Sequence, residues 1–111
     1  KQVLLDVIPY GRHYIDEDDI SSVVDVLRYG MLTQGPKITE FENKVANYVG
    51  SKYAVAVANG TAALHLACMA LKLGEGDEAI TSPNTFVATS NCILYVGAKT
   101  VFVDIDKKTL N

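Results

Sequence analysis

Two short stretches hold the residues of this chain best placed to do chemistry. The first is Asn59-Gly60-Thr61-Ala62, within YAVAVANGTAALHLACMALKL, where a fully apolar run stops and an apolar pattern of helical spacing begins at once. This reads as a buried strand, a tight glycine turn and a helix whose first N–H groups have no partner inside the helix, an arrangement that holds anions. Gly60 lets a backbone approach a ligand closely, Thr61 offers a hydroxyl, and the N–H groups near Ala62 and Ala63 are expected to face a phosphate. Gly-Thr also opens helices that bind nothing, so the turn alone leaves both readings open. The stretch lacks G-x-G-x-x-G and G-x-x-x-x-G-K-[ST], so a phosphate here would be held by backbone and hydroxyl rather than by a dinucleotide fingerprint or a P-loop lysine.

The second stretch is Pro83-Asn84-Thr85-Phe86. An aromatic residue at a strand mouth can lie against a planar ligand, and the alternative is a core phenylalanine in the first turn of the next helix. Asn84 and Asn91 either hydrogen-bond a ligand at this edge or satisfy a turn and a helix end. His13 and His65 form no nucleophilic or metal constellation. Asp104 and Asp106 are two apart at the end of a strand and read as structural rather than as an acid/base pair. The run Asp16-Glu17-Asp18-Asp19 reads as an N-cap and an acidic first turn, since neighbouring carboxylates on a helix point around it and do not converge on one ion. No metal site is expected. Cys68 and Cys92 lie in apolar segments and read as buried packing residues; two such residues make neither a disulfide scaffold nor a zinc cluster.

The elements that would carry these residues follow from periodicity. Ile20, Val23, Val24 and Leu27 recur at helical spacing behind Asp16, and Gly30 ends that helix. Residues 31–35, MLTQG, form a loop; Pro36 suits the first position of a second helix with Ile38, Phe41, Val45, Tyr48 and Val49 on one face and Gly50 as its stop. From residue 53 the pattern changes to a strand over 53–58, a helix over 61–73 with Leu64, Ala67, Cys68 and Leu71 inward and Gly74 as its breaker, a strand over 78–82, a helix capped by Thr85 through about residue 95, and a strand over 100–103. Ahead of the helices, Pro9 favours an extended Ile8. Strand alternating with helix predicts an α/β fold with a mainly parallel sheet, whose ligands bind beyond the carboxyl ends of the strands, where both stretches fall.

Composition removes several function classes. The 111 residues are 49% hydrophobic and 21% charged with a formal net charge of −3, enough for one core, and the basic residues form no stripe that would bind a nucleic-acid backbone. No apolar run is long enough for a membrane helix, and the opening residues show no signal-peptide pattern of basic, apolar and small residues. A cytoplasmic address, with no nucleic-acid or membrane partner, is the expectation. The chain begins with lysine and ends at Asn111, which suggests a piece of a longer protein.

Taken together, PYGRHYIDEDDI, LTQGPKITEFE, VAVANGTAALHLA and SPNTFVATSNCILYVGAKTVFVDID resemble the N-terminal part of the pyridoxal-phosphate-dependent sugar aminotransferases of the DegT/DnrJ/EryC1/StrS family. The segments are spread over nearly the whole chain and are specific as a set. The resemblance implies the aspartate-aminotransferase-like large domain of PLP fold type I, with residues 1–50 as an arm and two helices covering the active-site region and residues 51–111 as its first βαβαβ portion. It implies that Gly60, Thr61 and Ala62 hold the phosphate of pyridoxal 5'-phosphate and that Phe86 stacks on its ring. It places Tyr10, Thr33, Gln34 and Gly35 near a nucleotide-linked keto sugar, with an amino-acid donor as second substrate and a homodimer as the working form. The Schiff-base lysine of the family belongs to a motif expected beyond Asn111, so no catalytic residue is expected within the 111 residues and the chain alone is expected to be inactive. A sugar dehydratase of the same family and a non-catalytic phosphate-binding α/β module are the alternatives.

Overall fold

The computed structural model describes residues 9–110. The expected extended conformation of Ile8 therefore lies outside the described residues. The chain divides into two compact units, the first running to Ala54 and the second starting at Val55. Among the described residues no helix is long and apolar enough to cross a membrane.

The first unit contains two helices, α1 (Glu17–Tyr29) and α2 (Pro36–Val49). Asp16 starts α1 as its sequence suggests: its Oδ1 accepts from the N–H groups of Asp18 and Asp19 at 3.0 and 3.1 Å, and Asp19 Oδ2 accepts from the Asp16 N–H at 3.2 Å. This reciprocal box satisfies otherwise orphaned donors at the helix start. Pro36 occupies the first turn of α2, where a missing N–H costs nothing. Just before it, Gly35 is buried, and a Cβ there would collide with the carbonyl oxygen of Met31. Gln34 takes a left-handed φ of 50° in the same loop. At the far end, Gly50 has φ 70°, and the Ser51 N–H donates to Ala46 O at 2.9 Å across the helix end, a Schellman closure.

The helices α1 and α2 do not pack side by side. Their apolar stripes are consequently exposed, with Phe41 59% and Tyr48 92% accessible, and α2 buries only Ala46. On its polar side Glu40 accepts from Lys37 and Lys44, each at 2.8 Å. These hydrogen bonds, the one from Lys37 foremost, lower the carboxyl to about 2. All three groups are exposed and screened by water, so the cluster carries little stability.

The second unit contains α3 (Gly60–Ala70), β1 (Glu78–Thr81), α4 (Ala88–Tyr95) and β2 (Lys99–Phe102). The two strands pair in parallel, Glu78 with Lys99 through Thr81 with Phe102, and α4 is the crossover between them. Helix α4 packs on α3 and on both strands. The core is formed by Cys68 from α3, Cys92 and Ile93 from α4 and Ala98 before β2, with Leu73, Ala79 and Val96 around them. Both cysteines are free and buried, and burial followed by the neighbouring Cys92 raises the Cys68 thiol above its usual range. The result is an α/β fold with a parallel sheet and flanking helices.

Three expectations are corrected. Among the described residues, 53–58 join no strand of the sheet, although 53, 55 and 57 are exposed and 54 and 56 half-buried, the two-residue alternation of extended chain. Helix α4 begins at Ala88 instead of being capped by Thr85, and its N-cap position is Val87, without a side-chain cap. Helix α3 ends before Gly74. Lys72 takes the left-handed conformation at φ 58°, with its N–H on Met69 O at 2.9 Å and the Leu73 N–H on Cys68 O at 3.2 Å. This is the closure that Gly97, at φ 81°, provides for α4. Gly74 instead belongs to the next turn, where the Asp77 N–H donates to its carbonyl at 3.1 Å and Gly76 supplies the required φ of 91°.

Two outcomes test these local arguments. Gly35→Ala should lower the stability of the full-length protein by roughly 1–3 kcal/mol through its backbone collision, while Gly11→Ala, which meets nothing within 4 Å, should change it by less than about 0.5 kcal/mol; urea unfolding measures both. After β2, Asp106 Oδ1 accepts from the N–H groups of Thr109 and Lys108 at 2.8 and 2.9 Å and from the Thr109 hydroxyl at 3.2 Å, which lowers its carboxyl below the ordinary 3.8. A depressed folded value gives stability that is present above the ordinary value and is lost as pH falls through the folded one. Asp106→Asn should therefore flatten the acid limb of the unfolding midpoint against pH, and an unchanged limb would contradict this account.

Candidate functional site

The site is assembled from the start of α3 and the approach to α4, both within the second unit. Asn59 leaves the preceding segment in an extended conformation, φ −167° and ψ 170°, and caps α3 by accepting the Ala62 N–H on its Oδ1 at 2.9 Å. Its carbonyl accepts the Ala63 N–H at 3.2 Å. The N–H groups expected to face a phosphate, near Ala62 and Ala63, are thus already engaged. The open donors lie one step earlier: the N–H groups of Gly60 and Thr61 and the Thr61 hydroxyl have no acceptor among the described residues. A Cβ on Gly60 would meet nothing within 4 Å, so the approach to these donors is open.

An open cleft of about 530 Å³ adjoins this terminus, lined by Gly60, Thr61, Ala63, Leu64, Phe86, Ala88 and Thr89. Phe86 precedes α4 and is 74% exposed; it is a wall of the cleft and not the core residue that its position near a helix start would also have allowed. Backbone donors, one hydroxyl and an aromatic face on one mostly apolar cleft suit a planar ring bearing a phosphate. The chemistry of the donor set therefore fits the group implied by the sequence resemblance. Among the described residues no acid, base or lysine lines the cleft.

Other singled-out residues fall away from this role. His65 packs edge-on against Tyr95, ring centroids 5.2 Å apart. Asp104 Oδ1 accepts the Ile105 N–H at 2.8 Å and Asp106 holds the turn after it, so both are structural. Tyr10 is fully exposed, and Thr33, Gln34 and Gly35 are consecutive in the α1–α2 loop; all four belong to the first unit. Among the described residues no group of three potential ligands could hold a metal ion. Thr89 was missed by the sequence reading, although its spacing of four from Thr85 in a helical approach was a signal that the two hydroxyls could meet.

Comparison with known proteins identifies the family. The profile of the DegT/DnrJ/EryC1/StrS aminotransferase family matches residues 13–111. The spore coat polysaccharide biosynthesis protein SpsC of Bacillus subtilis (strain 168) is 49% identical over 104 residues, covering 94% of this chain and 27% of the relative. The UDP-4-amino-4-deoxy-L-arabinose--oxoglutarate aminotransferase of Shewanella sediminis (strain HAW-EB3) is 47% identical over 103 residues, covering 93% and 26%. Among solved structures, Spr1654 of Streptococcus pneumoniae, known in apo, PMP and PLP forms, superposes with a TM-score of 0.85 at 40% identity over 93% of this chain and 26% of its own. The chain thus spans about a quarter of the length of the relatives it matches. Its α/β architecture is that of the PLP fold type I superfamily. With a profile match over residues 13–111 and a site to suit it, the chain belongs to the DegT/DnrJ/EryC1/StrS aminotransferase family.

Proposed function

We propose that the full-length protein is a pyridoxal-phosphate-dependent nucleotide-sugar aminotransferase, and that this chain supplies the phosphate and ring-facing corner of its cofactor site. The reading rests on one observation above others: the unpartnered donors of Gly60 and Thr61 and the exposed ring of Phe86 line the same cleft. The N–H groups of Gly60 and Thr61 and the Thr61 hydroxyl hold the phosphate. Ala62 keeps its N–H on Asn59 and so holds the turn in shape. Phe86 covers one face of the ring. When bound, the cofactor supplies the electron sink that lets an amine move between an amino acid and a keto group.

The residues that line the cleft bind and orient but move no proton, since among the described residues none of them is an acid, a base or a lysine. The lysine that does so is assigned to the remainder of the full-length protein, and the 111 residues alone are inactive in transamination. In this reading residues 1–50 form the arm over the active site, residues 51–111 begin the large domain, and the working form is a cytoplasmic homodimer. Tyr10, Thr33, Gln34 and Gly35 serve the sugar; the left-handed φ of 50° at Gln34 is the kind of held strain found where a loop serves a ligand. L-Glutamate is the donor, a choice supported by the oxoglutarate in the name of the Shewanella relative. The acceptor is a nucleotide-linked 4-keto-6-deoxy sugar, with UDP-4-amino-4,6-dideoxy-N-acetyl-β-L-altrosamine as the product suggested by the opening segment.

Incubation of the full-length protein with pyridoxal phosphate and dialysis should leave a visible absorption band that is lost on adding L-glutamate. A folded protein that retains no band would sink the reading. Thr61→Val, which removes a hydrogen bond to a charged group, should weaken cofactor binding by about tenfold or more, and Phe86→Ala by roughly three- to tenfold through lost ring contact, both read by titration of that band.

A further inference from the structure

We propose that Thr89 is a positioning residue for Phe86, clasped to Thr85 so that the aromatic ring is fixed at the mouth of the cleft before any ligand arrives. The inference rests on the cofactor reading above and deepens it. Phe86 is 74% exposed, so packing does not hold it. It lies between the end of β1 at Thr81 and the start of α4 at Ala88, and the N-cap position, Val87, makes no side-chain cap bond. Something else must hold the loop.

Two hydrogen bonds do, and both end on Thr89. The Thr89 N–H donates to the carbonyl of Phe86 at 3.0 Å, and the hydroxyls of Thr85 and Thr89 meet at 3.0 Å. Phe86 is thereby tied through its own carbonyl and through the side chain of the residue before it. Neighbouring bonds reinforce the frame without touching Phe86: the Ser90 hydroxyl and N–H both donate to Val87 O, at 3.0 and 3.2 Å, and the Asn84 N–H donates to Ser82 Oγ at 3.1 Å. Thr89 is half-buried on α4, which is anchored in the core through Ala88, Cys92 and Ile93, while Thr85 is exposed. The clasp therefore transmits the position of a packed helix to an unpacked ring. A binding group held in place in advance loses less freedom on binding, which is where the gain in affinity arises.

The test is a double-mutant cycle in the full-length protein, with the dissociation constant for pyridoxal phosphate as the readout. Thr89→Val should weaken binding by about fivefold, the ordinary net worth of one hydrogen bond, and Thr89→Ser should restore it. In a Phe86→Ala background Thr89→Val should add nothing, because its effect passes through the ring; additive losses, or no loss from Thr89→Val, would overturn the proposal. If Thr89→Val folds poorly, Thr85→Val breaks the same pair from the exposed side and should behave alike. Amide exchange of the Thr89 N–H in cofactor-free protein separates this idea from the reading beneath it. Faster exchange in Thr85→Val supports the clasp and unchanged exchange refutes it, whereas failure of the unmutated protein to bind pyridoxal phosphate refutes the cofactor reading.

Discussion

Everything in the second unit depends on α4 being the crossover of a parallel strand pair. Parallel strands cannot be joined by a tight turn, so the chain must leave β1 at Thr81, cross the sheet as a helix and re-enter at Lys99. That crossing buries Ala88, Cys92 and Ile93 and sets α4 against α3. Both helices begin beside one cleft as a result, and residues 25 apart in sequence, Thr61 and Phe86, come to share its wall. The site is a product of the crossover together with the local turn at Asn59-Gly60-Thr61.

The packing that enforces this arrangement is made of small side chains. The buried residues of the cluster are two cysteines, an isoleucine and an alanine. Small residues let helix and sheet approach closely, but each buries little apolar area, on the order of 25 cal/mol for every square ångström removed from water. The Glu78–Lys99 pair across the strands, at 2.6 Å, is exposed and adds little to that. Order at the cleft therefore has to come partly from hydrogen bonds in the loops, at Asn59 and Thr89.

How much of this was legible in the sequence varied with the kind of signal. Asp16, Pro36 and Gly50 mark helix ends by side-chain chemistry that acts within one turn, and the structure has those ends where the residues place them. The two paired strands were recognisable from apolar residues between turn formers. The strand expected at 53–58 joins no ladder among the described residues, because apolar composition reports burial in a finished sheet while a ladder also depends on which strands lie beside it. The inward face of α3 was also hidden. GTAALHLACMA is apolar all round, so periodicity has no polar side to contrast with it, and Cys68 is buried while Leu64 and Leu71 are exposed. At the site, Asn59-Gly60-Thr61 could be read as an anion-binding turn, but which N–H groups remain open depended on where the Asn59 side chain pointed.

The end of α3 shows how loosely one such rule is written into a chain. Lys72 occupies the left-handed position that glycine takes at the ends of α2 and α4. A side chain there is strained by roughly 1–2 kcal/mol, yet glycine would bring back about 0.5–1 kcal/mol of unfolded-state entropy. The strain is the larger of the two, so the backbone at this position favours glycine over lysine by up to about 1 kcal/mol. Among sequences that share this helix end, the residue type at 72 can vary while the backbone it serves does not.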